Sequence, residues 1–471
     1  MSRATGKVAI IGGGGIRTPL VVFGLNEAAA VLGVREVVLY DPDRERARTM
    51  VALGQAVIQR ETSRDVGPSE SMLTLREGDS FEDAVSGTDF VLNSVRVGGI
   101  AARSADERIA IQHGYPGQET TGPGGMAMAL RTVPIAVDQA QQVHKFAPQA
   151  WLINFTNPAG LITQAITQHT DARVVGICDT PTEMLHRIAK ALAAVPDDVH
   201  CEYLGLNHLG WVRKVELRGE DVTDHLFADD YLLSQLYSAP LFDHALIRSL
   251  RLIPTEYLFF YYSRGRALAN QLAHGSTRGA EVEKLNAALF HQLGSLLAAG
   301  NNQGALAAYI HYLNVRSGSY MALEASGSAS STLAPAHQED PFRAATGYHR
   351  IALDVMKALR GKSPQRVIVN TRNQGAIECI AATDIVEVPC SISNDVIKPE
   401  PCGALPPEVR GLVLAVKEYE RATIEAAMTG SELMARKAML LYPAIGEWEP
   451  SEGLLRDLTF KSIRPGPSLT P

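Results

Sequence analysis

The segment Lys7-Val8-Ala9-Ile10-Ile11-Gly12-Gly13-Gly14-Gly15 points to a nucleotide-binding α/β sheet. A short apolar strand runs into four consecutive glycines, and Thr18-Pro19 then caps and starts a helix. A glycine turn between strand and helix lets the backbone approach a pyrophosphate, whose charge the helix N-terminus favours. Gly12, Gly14, Gly15, Ile16 and Arg17 form this cradle, although Arg17 stands where the usual dinucleotide pattern has its third glycine. A second apolar strand, Glu36-Val37-Val38-Leu39-Tyr40, ends at Asp41. A carboxylate there can bind the ribose hydroxyls of an adenosine and favours NAD over NADP. Asp41 also precedes Pro42, where it would serve equally as a helix cap.

Further apolar strands are expected at residues 90–95, 151–155 and 173–177, with helical periodicity at 44–60 and 126–146. Continuous apolar strands alternating with helices imply an α/β fold, a Rossmann-like doubly wound parallel sheet, over residues 1–197. Residues 198–471 form a second, α+β domain, the whole organised like a lactate or malate dehydrogenase. In it 201–217 reads as strands, 278–299 as a long helix and 326–341 as a loop rich in Ser, Ala, Pro and Gly. Short strands follow at 367–370 and 385–389, then one helical stretch at 411–442 and a tail at 465–471.

A chain of 471 residues is long for one core, so two domains are the prior. With 46% hydrophobic and 20% charged residues, the composition is globular. A net charge of −7 gives no electrostatic case for nucleic acid or an anionic membrane. No run of roughly 18 apolar residues is present, and the N-terminal apolar stretch lacks a cleavage pattern. Five cysteines, an odd number widely spread, fit a reducing cytoplasm better than a disulfide framework.

Two glycine-led segments carry the candidate chemistry: Gly176-Ile177-Cys178-Asp179 and Gly205-Leu206-Asn207-His208. Cys178 follows an apolar strand at the carboxyl edge, where open α/β sheets bind ligands. Alone, such a thiol is ordinarily an inert core residue, and a lone histidine is ordinarily just hydrogen-bonded. Together they could hold one metal, and ligand softness alone suggests zinc. Asp179 could be a general acid or a carboxylate near the metal, or simply the cap of the helix starting Thr180-Pro181. A nicotinamide beside a metal usually means redox chemistry at a carbon bearing a hydroxyl.

With these segments stand Arg96-Val97-Gly98-Gly99, Gly117-Gln118-Glu119-Thr120-Thr121-Gly122, Asn154-Phe155-Thr156-Asn157-Pro158 and Tyr257-Leu258 followed by Tyr261-Tyr262. Leu209-Gly210-Trp211, Asn370-Thr371-Arg372-Asn373 and Glu387-Val388-Pro389-Cys390 complete the set. In order and spacing the chain resembles glycoside hydrolase family 4, the NAD- and metal-dependent glycosidases, an exception to the two-carboxylate mechanism. The resemblance implies 6-phospho-glycoside substrates and Mn²⁺, rather than zinc, on Cys178 and His208. It makes Asn157 a sugar contact, Arg96 and Arg278 basic residues at the substrate, and Tyr257 the catalytic base, with Tyr261 the fallback. Read without it, residues 257–262 could be an aromatic core stripe, Arg278 an exposed helix start, and Gln118 and Glu119 caps of a glycine turn.

The chemistry implied runs as follows. Hydride leaves sugar C3 for NAD⁺, and Tyr257 takes the acidified C2 proton while Mn²⁺ stabilises the enediolate. A cation must lower the tyrosine from its ordinary pKa of ~10. The C1–O bond then breaks with Asp179 as candidate proton donor. Water adds at C1 and the hydride returns. Residues 117–125 look at least as close to β-type members, the 6-phospho-β-glucosidases, whereas Asp179 matches α-type members and Tyr442-Pro443 replaces the usual His-Pro. A 6-phospho-α-glucosidase or α-galactosidase is therefore the alternative, and a hydroxy-acid or sugar dehydrogenase the alternative of another class. A non-catalytic NAD-binding sensor is a third. The resemblance and the apolar content of 411–442 together imply a homodimer or homotetramer.

Overall fold

The structure, a computed structural model, describes residues 5–62, 73–318 and 340–462. Most of the loop expected at 326–341 and all of the tail at 465–471 lie outside them. Strands β1 (Lys7–Ile11), β2 (Glu36–Tyr40), β3 (Thr74–Glu77), β4 (Phe90–Asn93), β5 (Trp151–Asn154) and β6 (Arg173–Gly176) run parallel in the order β3-β2-β1-β4-β5-β6. β4 and β5 are buried throughout, as strands covered on both faces must be. Strand order reverses between β1 and β4, and the glycine turn leaves β1 at that switch point.

The second half does not stay apart from this sheet. β7 (Val199–Leu206) and β8 (Leu209–Leu217) form a hairpin in a separate sheet, with β9 (Glu220–Asp221) and β10 (Ile253–Pro254) both paired to β8. The chain then returns: β11 (Gln365–Arg372) joins β6 antiparallel, and β12 (Ile385–Ser393) and β13 (Val396–Pro399) extend the edge to nine strands. Asn370 pairs with Gly176 at this seam. A Cβ on Gly176 would lie 2.3 Å from Thr163 Oγ1 and 2.9 Å from Asn370 Cβ, so the close approach requires glycine.

Three local readings change. Residues 411–442 form two helices, Pro407–Thr429 and Glu432–Leu441, because Gly430 at φ 69° closes the first and Ser431 caps the second. Thr18 is the first residue of helix Thr18–Glu27 rather than its cap, and its N–H bonds Gly15 O at 3.1 Å. The helix expected at 126–146 begins four residues earlier, at Gly122. Among the described residues no helix is long and apolar enough to cross a membrane.

A chain of buried and half-buried ion pairs ties the segments that follow β4 to the second half. Glu119 Oε2 takes Arg96 at 2.6 Å and Arg103 at 2.9 Å. Arg103 also bonds Glu107 at 2.7 Å, and Glu107 accepts the backbone N–H of Gly279 at 2.6 Å, in the first turn of helix Arg278–Ala298. Burial opposes ionisation of Glu119, but Arg103 and Arg96 outweigh it and hold its carboxyl well below the usual range. Glu107 is fully buried, so removing it strands charge and a backbone donor where water does not reach. Glu107→Ala is expected to cost about 3–5 kcal/mol in urea unfolding; a loss under about 1 kcal/mol would show that the chain of pairs carries no weight.

Candidate active site

The sheet places its candidate residues along one carboxyl edge. At β1, Gly12 has φ 81°, and a Cβ there would lie 2.5 Å from Ser94 O, so the turn needs glycine to pack on the end of β4. Asp41 at the end of β2 accepts from Gly14 N at 3.0 Å and Asp43 N at 2.9 Å. It therefore braces the glycine turn as well as standing where a ribose would lie. Among the described residues nothing accepts from the backbone N–H of Ile16 or Arg17. Two free amides at a helix start fit a pyrophosphate. Arg17 is exposed, its guanidinium 4.0 Å from the Tyr348 ring centroid and within electrostatic reach of Asp179, Glu119 and Tyr257.

β4 and β5 are laced together at their ends. Thr156 donates to Asn93 O at 3.3 Å and accepts from Val95 N at 3.0 Å, which positions the segments leading to Arg96 and Asn157. Both of those side chains are half-buried. Cys178 follows β6 after Ile177, whose N–H bonds Asn154 O at 3.0 Å.

His208 reaches Cys178 from the other sheet. Leu206 pairs with Leu209, so Asn207-His208 is a two-residue hairpin loop, with His208 in the left-handed region at φ 61°. His208 Nε2 stands 3.4 Å from Cys178 Sγ, and both residues are buried. Burial pushes the His208 pKa down to about 3 against the pull of Glu119, so the ring is neutral. Burial, then the carboxylates of Glu387 and Asp179, raise the Cys178 thiol well above its ordinary value. A neutral imidazole and a thiol that a dication would deprotonate are a fitting donor pair for a divalent metal. Burial likewise lifts Asp179 to about 6 against Arg17, with Glu183 adding to the rise. Asp179 heads helix Thr180–Ala191 but makes no side-chain cap bond, which leaves its carboxyl for other work.

The aromatic segment sorts itself. Tyr257 lies in a 3₁₀ turn, Glu256–Leu258, and stacks on His208 at 3.7 Å between centroids and 9° between planes. Arg103, like Arg17, lies within electrostatic reach of its hydroxyl. Phe259 and Phe260 are core. The Tyr261 hydroxyl meets that of Tyr442 at 2.8 Å, and Tyr442 accepts Gly122 N at 2.8 Å, so Tyr261 is occupied elsewhere. Arg278 is not an exposed helix start: it is 9% exposed, and its guanidinium donates to Arg316 O at 2.7 Å.

The sequence gives several residues at this site no role of their own. Glu387 is buried and accepts from Tyr203 Oη at 2.7 Å, Asn370 Nδ2 at 2.8 Å and Asn207 Nδ2 at 3.0 Å. Arg103 and Glu107 sit four apart on one helix, a spacing that looks like an ordinary surface pair. Arg316 and Tyr348 are brought in by long-range packing and have no local signal.

The family 4 glycosyl hydrolase model matches residues 7–194, and the model of the family 4 glycosyl hydrolase C-terminal domain matches 203–445. The Escherichia coli 6-phospho-β-glucosidase is 30% identical over 96% of this chain and 94% of its own length. A phospho-α-glucosidase of Clostridium acetobutylicum is 26% identical, covering 96% of each chain. The Thermotoga maritima 6-phospho-β-glucosidase, solved with manganese, NAD⁺ and glucose-6-phosphate, superposes with a TM-score of 0.79 at 28% identity, covering 97% of this chain and 98% of that one. These matches decide between the glycosidase and the dehydrogenase readings: the chain belongs to glycosyl hydrolase family 4.

Proposed function

We propose that this enzyme hydrolyses 6-phospho-glucosides, β-linked ones first, with NAD⁺ and Mn²⁺. The observation that carries the reading is the 3.4 Å approach of His208 Nε2 to Cys178 Sγ, with Tyr257 stacked on the same imidazole. Cys178 and His208 would hold the metal, and Gly12, Gly14, Gly15, Ile16, Arg17 and Asp41 the nucleotide. When bound, NAD⁺ would supply reversible oxidation at sugar C3, and the metal a positive charge against the oxygens on C2 and C3.

The protein's own groups do the rest. Tyr257 takes the C2 proton, its phenolate favoured by Arg17 and Arg103. Asp179 gives a proton to the departing oxygen at C1, for which a carboxyl lifted to about 6 suits. Asn157 holds a sugar hydroxyl, Arg96 the sugar, and Arg278 the 6-phosphate. A second reading, α-linked substrates, is favoured by Asp179 itself, the residue that resembles α-type members. Residues 1–197 would form the nucleotide unit and 198–471 the substrate unit, with Cys178 lent across the boundary. Free, buried Cys178, Cys201, Cys390 and Cys402 favour a reducing, cytoplasmic setting.

Turnover in D₂O is expected to place deuterium at C2 of the released sugar, whereas displacement at C1 by two carboxylates would leave C2 untouched. Tyr257→Phe should lose exchange and hydrolysis together by roughly 10²–10⁴-fold while NAD⁺ binding survives. Product without C2 deuterium contradicts the reading; exchange persisting in Tyr257→Phe moves the base elsewhere. Nitrophenyl α- and β-glycosides with and without 6-phosphate decide between the two linkages and test the phosphate. We also propose a homodimer or homotetramer, since Leu433, Leu440 and Met428 stand exposed on the helices Pro407–Thr429 and Glu432–Leu441. Light scattering at micromolar concentration should give one of these masses, and a monomer would contradict it.

A further inference from the structure

The loop before helix Gly122–Phe146 carries an array that no part of the proposed chemistry uses. Gln118, Thr120 and Thr121 are all buried. Gln118 Oε1 accepts from Thr120 N at 2.5 Å, Thr121 N at 2.7 Å and Thr121 Oγ1 at 3.2 Å. Backbone N–H groups can only donate, so the Gln118 atom facing them is its carbonyl oxygen and not its amide nitrogen. The same oxygen lies 2.9 Å from Thr120 Oγ1, and a carbonyl oxygen can only accept. The single hydroxyl proton of Thr120 is thereby committed to Gln118.

Thr120 Oγ1 is also 3.0 Å from His208 Nδ1. With its proton spent, the hydroxyl offers that nitrogen only a lone pair, so Nδ1 must carry the ring proton. In a neutral imidazole Nε2 is then bare, and its lone pair faces Cys178 Sγ at 3.4 Å. The opposite tautomer would set two lone pairs against each other at Nδ1, in a buried place where water cannot relieve them.

We propose that Thr120, oriented by Gln118, is a positioning residue that locks His208 in the Nδ1–H tautomer and so keeps Nε2 ready for the metal. This rests on the reading of Cys178 and His208 as metal ligands. The loop is pinned from its far side by the Gly122 N–H bond to the Tyr442 hydroxyl at 2.8 Å, which keeps the Thr120 hydroxyl on its ring. The neighbouring stack of Tyr257 on His208 fixes the ring plane, while Thr120 fixes which nitrogen is bare.

The test compares Thr120→Val, which keeps shape but loses the acceptor, with Thr120→Ser, which keeps it. Mn²⁺ affinity is read by electron paramagnetic resonance on nucleotide-free protein. The His208 tautomer is read by ¹⁵N NMR on histidine-labelled, metal-free protein, and NAD⁺ binding serves as the check on folding. Thr120→Val should weaken Mn²⁺ binding by roughly 10- to 100-fold and lose the Nδ1–H pattern, with NAD⁺ affinity kept; Thr120→Ser should restore both. Full Mn²⁺ affinity in Thr120→Val, while His208→Ala abolishes it, would overturn the role of Thr120 and leave the metal reading standing. Full affinity in His208→Ala would overturn both. If Thr120→Val does not fold, the wild-type spectrum decides: an Nε2–H ring at His208 overturns the proposal.

Discussion

A buried carboxylate holds the two sheets to each other at the site. Glu387, on β12, accepts from Tyr203 of β7, Asn207 of the hairpin loop and Asn370 of β11. Burial raises its pKa against these three donors, and the nearby Asp179 raises it further. A carboxyl taken out of water is tolerable only when hydrogen bonds replace its hydration, and here three side chains do so. The consequence is geometric. Asn207 precedes His208 in a two-residue turn, so fixing Asn207 on Glu387 fixes where the imidazole can go. Asn370 pairs with Gly176 two residues before Cys178. One carboxylate thus sets the position of both halves of the donor pair. Its charge, with that of Asp179, opposes thiolate formation at Cys178 unless a cation is present.

The ion pairs from Arg96 to Glu107 perform a similar service for the substrate side. Buried ion pairs are weak sources of stability, because desolvation offsets most of their attraction. Their value here lies in alignment: Arg96 leaves β4, Glu119 leads to the loop that holds His208, and Gly279 follows Arg278. Groups drawn from three segments are held in one register, which a site meant to grip a charged sugar requires.

Much of this was legible in the sequence because the signals are local. The glycine turn, Asp41 and the apolar strands each fit within a few residues, and they specify a doubly wound sheet without reference to anything distant. Cys178 and His208 were legible as strand-end residues, though only packing brings them to 3.4 Å. The return of β11 to β6 was not legible, since the pairing of Asn370 with Gly176 spans nearly the whole second half and periodicity carries no information on partners. Nor could spacing choose between Tyr257 and Tyr261, both aromatic in an apolar run. Their separation depends on which hydroxyl Tyr442 engages. Gln118 reads as a turn cap because it is one, and the link from Gln118 through Thr120 to the ring exists only once His208 arrives from the other sheet. The break at Gly430 was readable, as a glycine in a helical pattern followed by a serine, yet the apolar periodicity on either side outweighs it by eye.

The proposed chemistry requires one ion shared by Cys178 and His208. Crystals grown with NAD⁺ and manganese, measured on both sides of the manganese absorption edge, place that ion directly by its anomalous scattering. The structure calls for a single strong peak bonded to Cys178 Sγ and His208 Nε2, beside the stacked ring of Tyr257. A manganese peak bound elsewhere, with no ion between Cys178 Sγ and His208 Nε2, would contradict it.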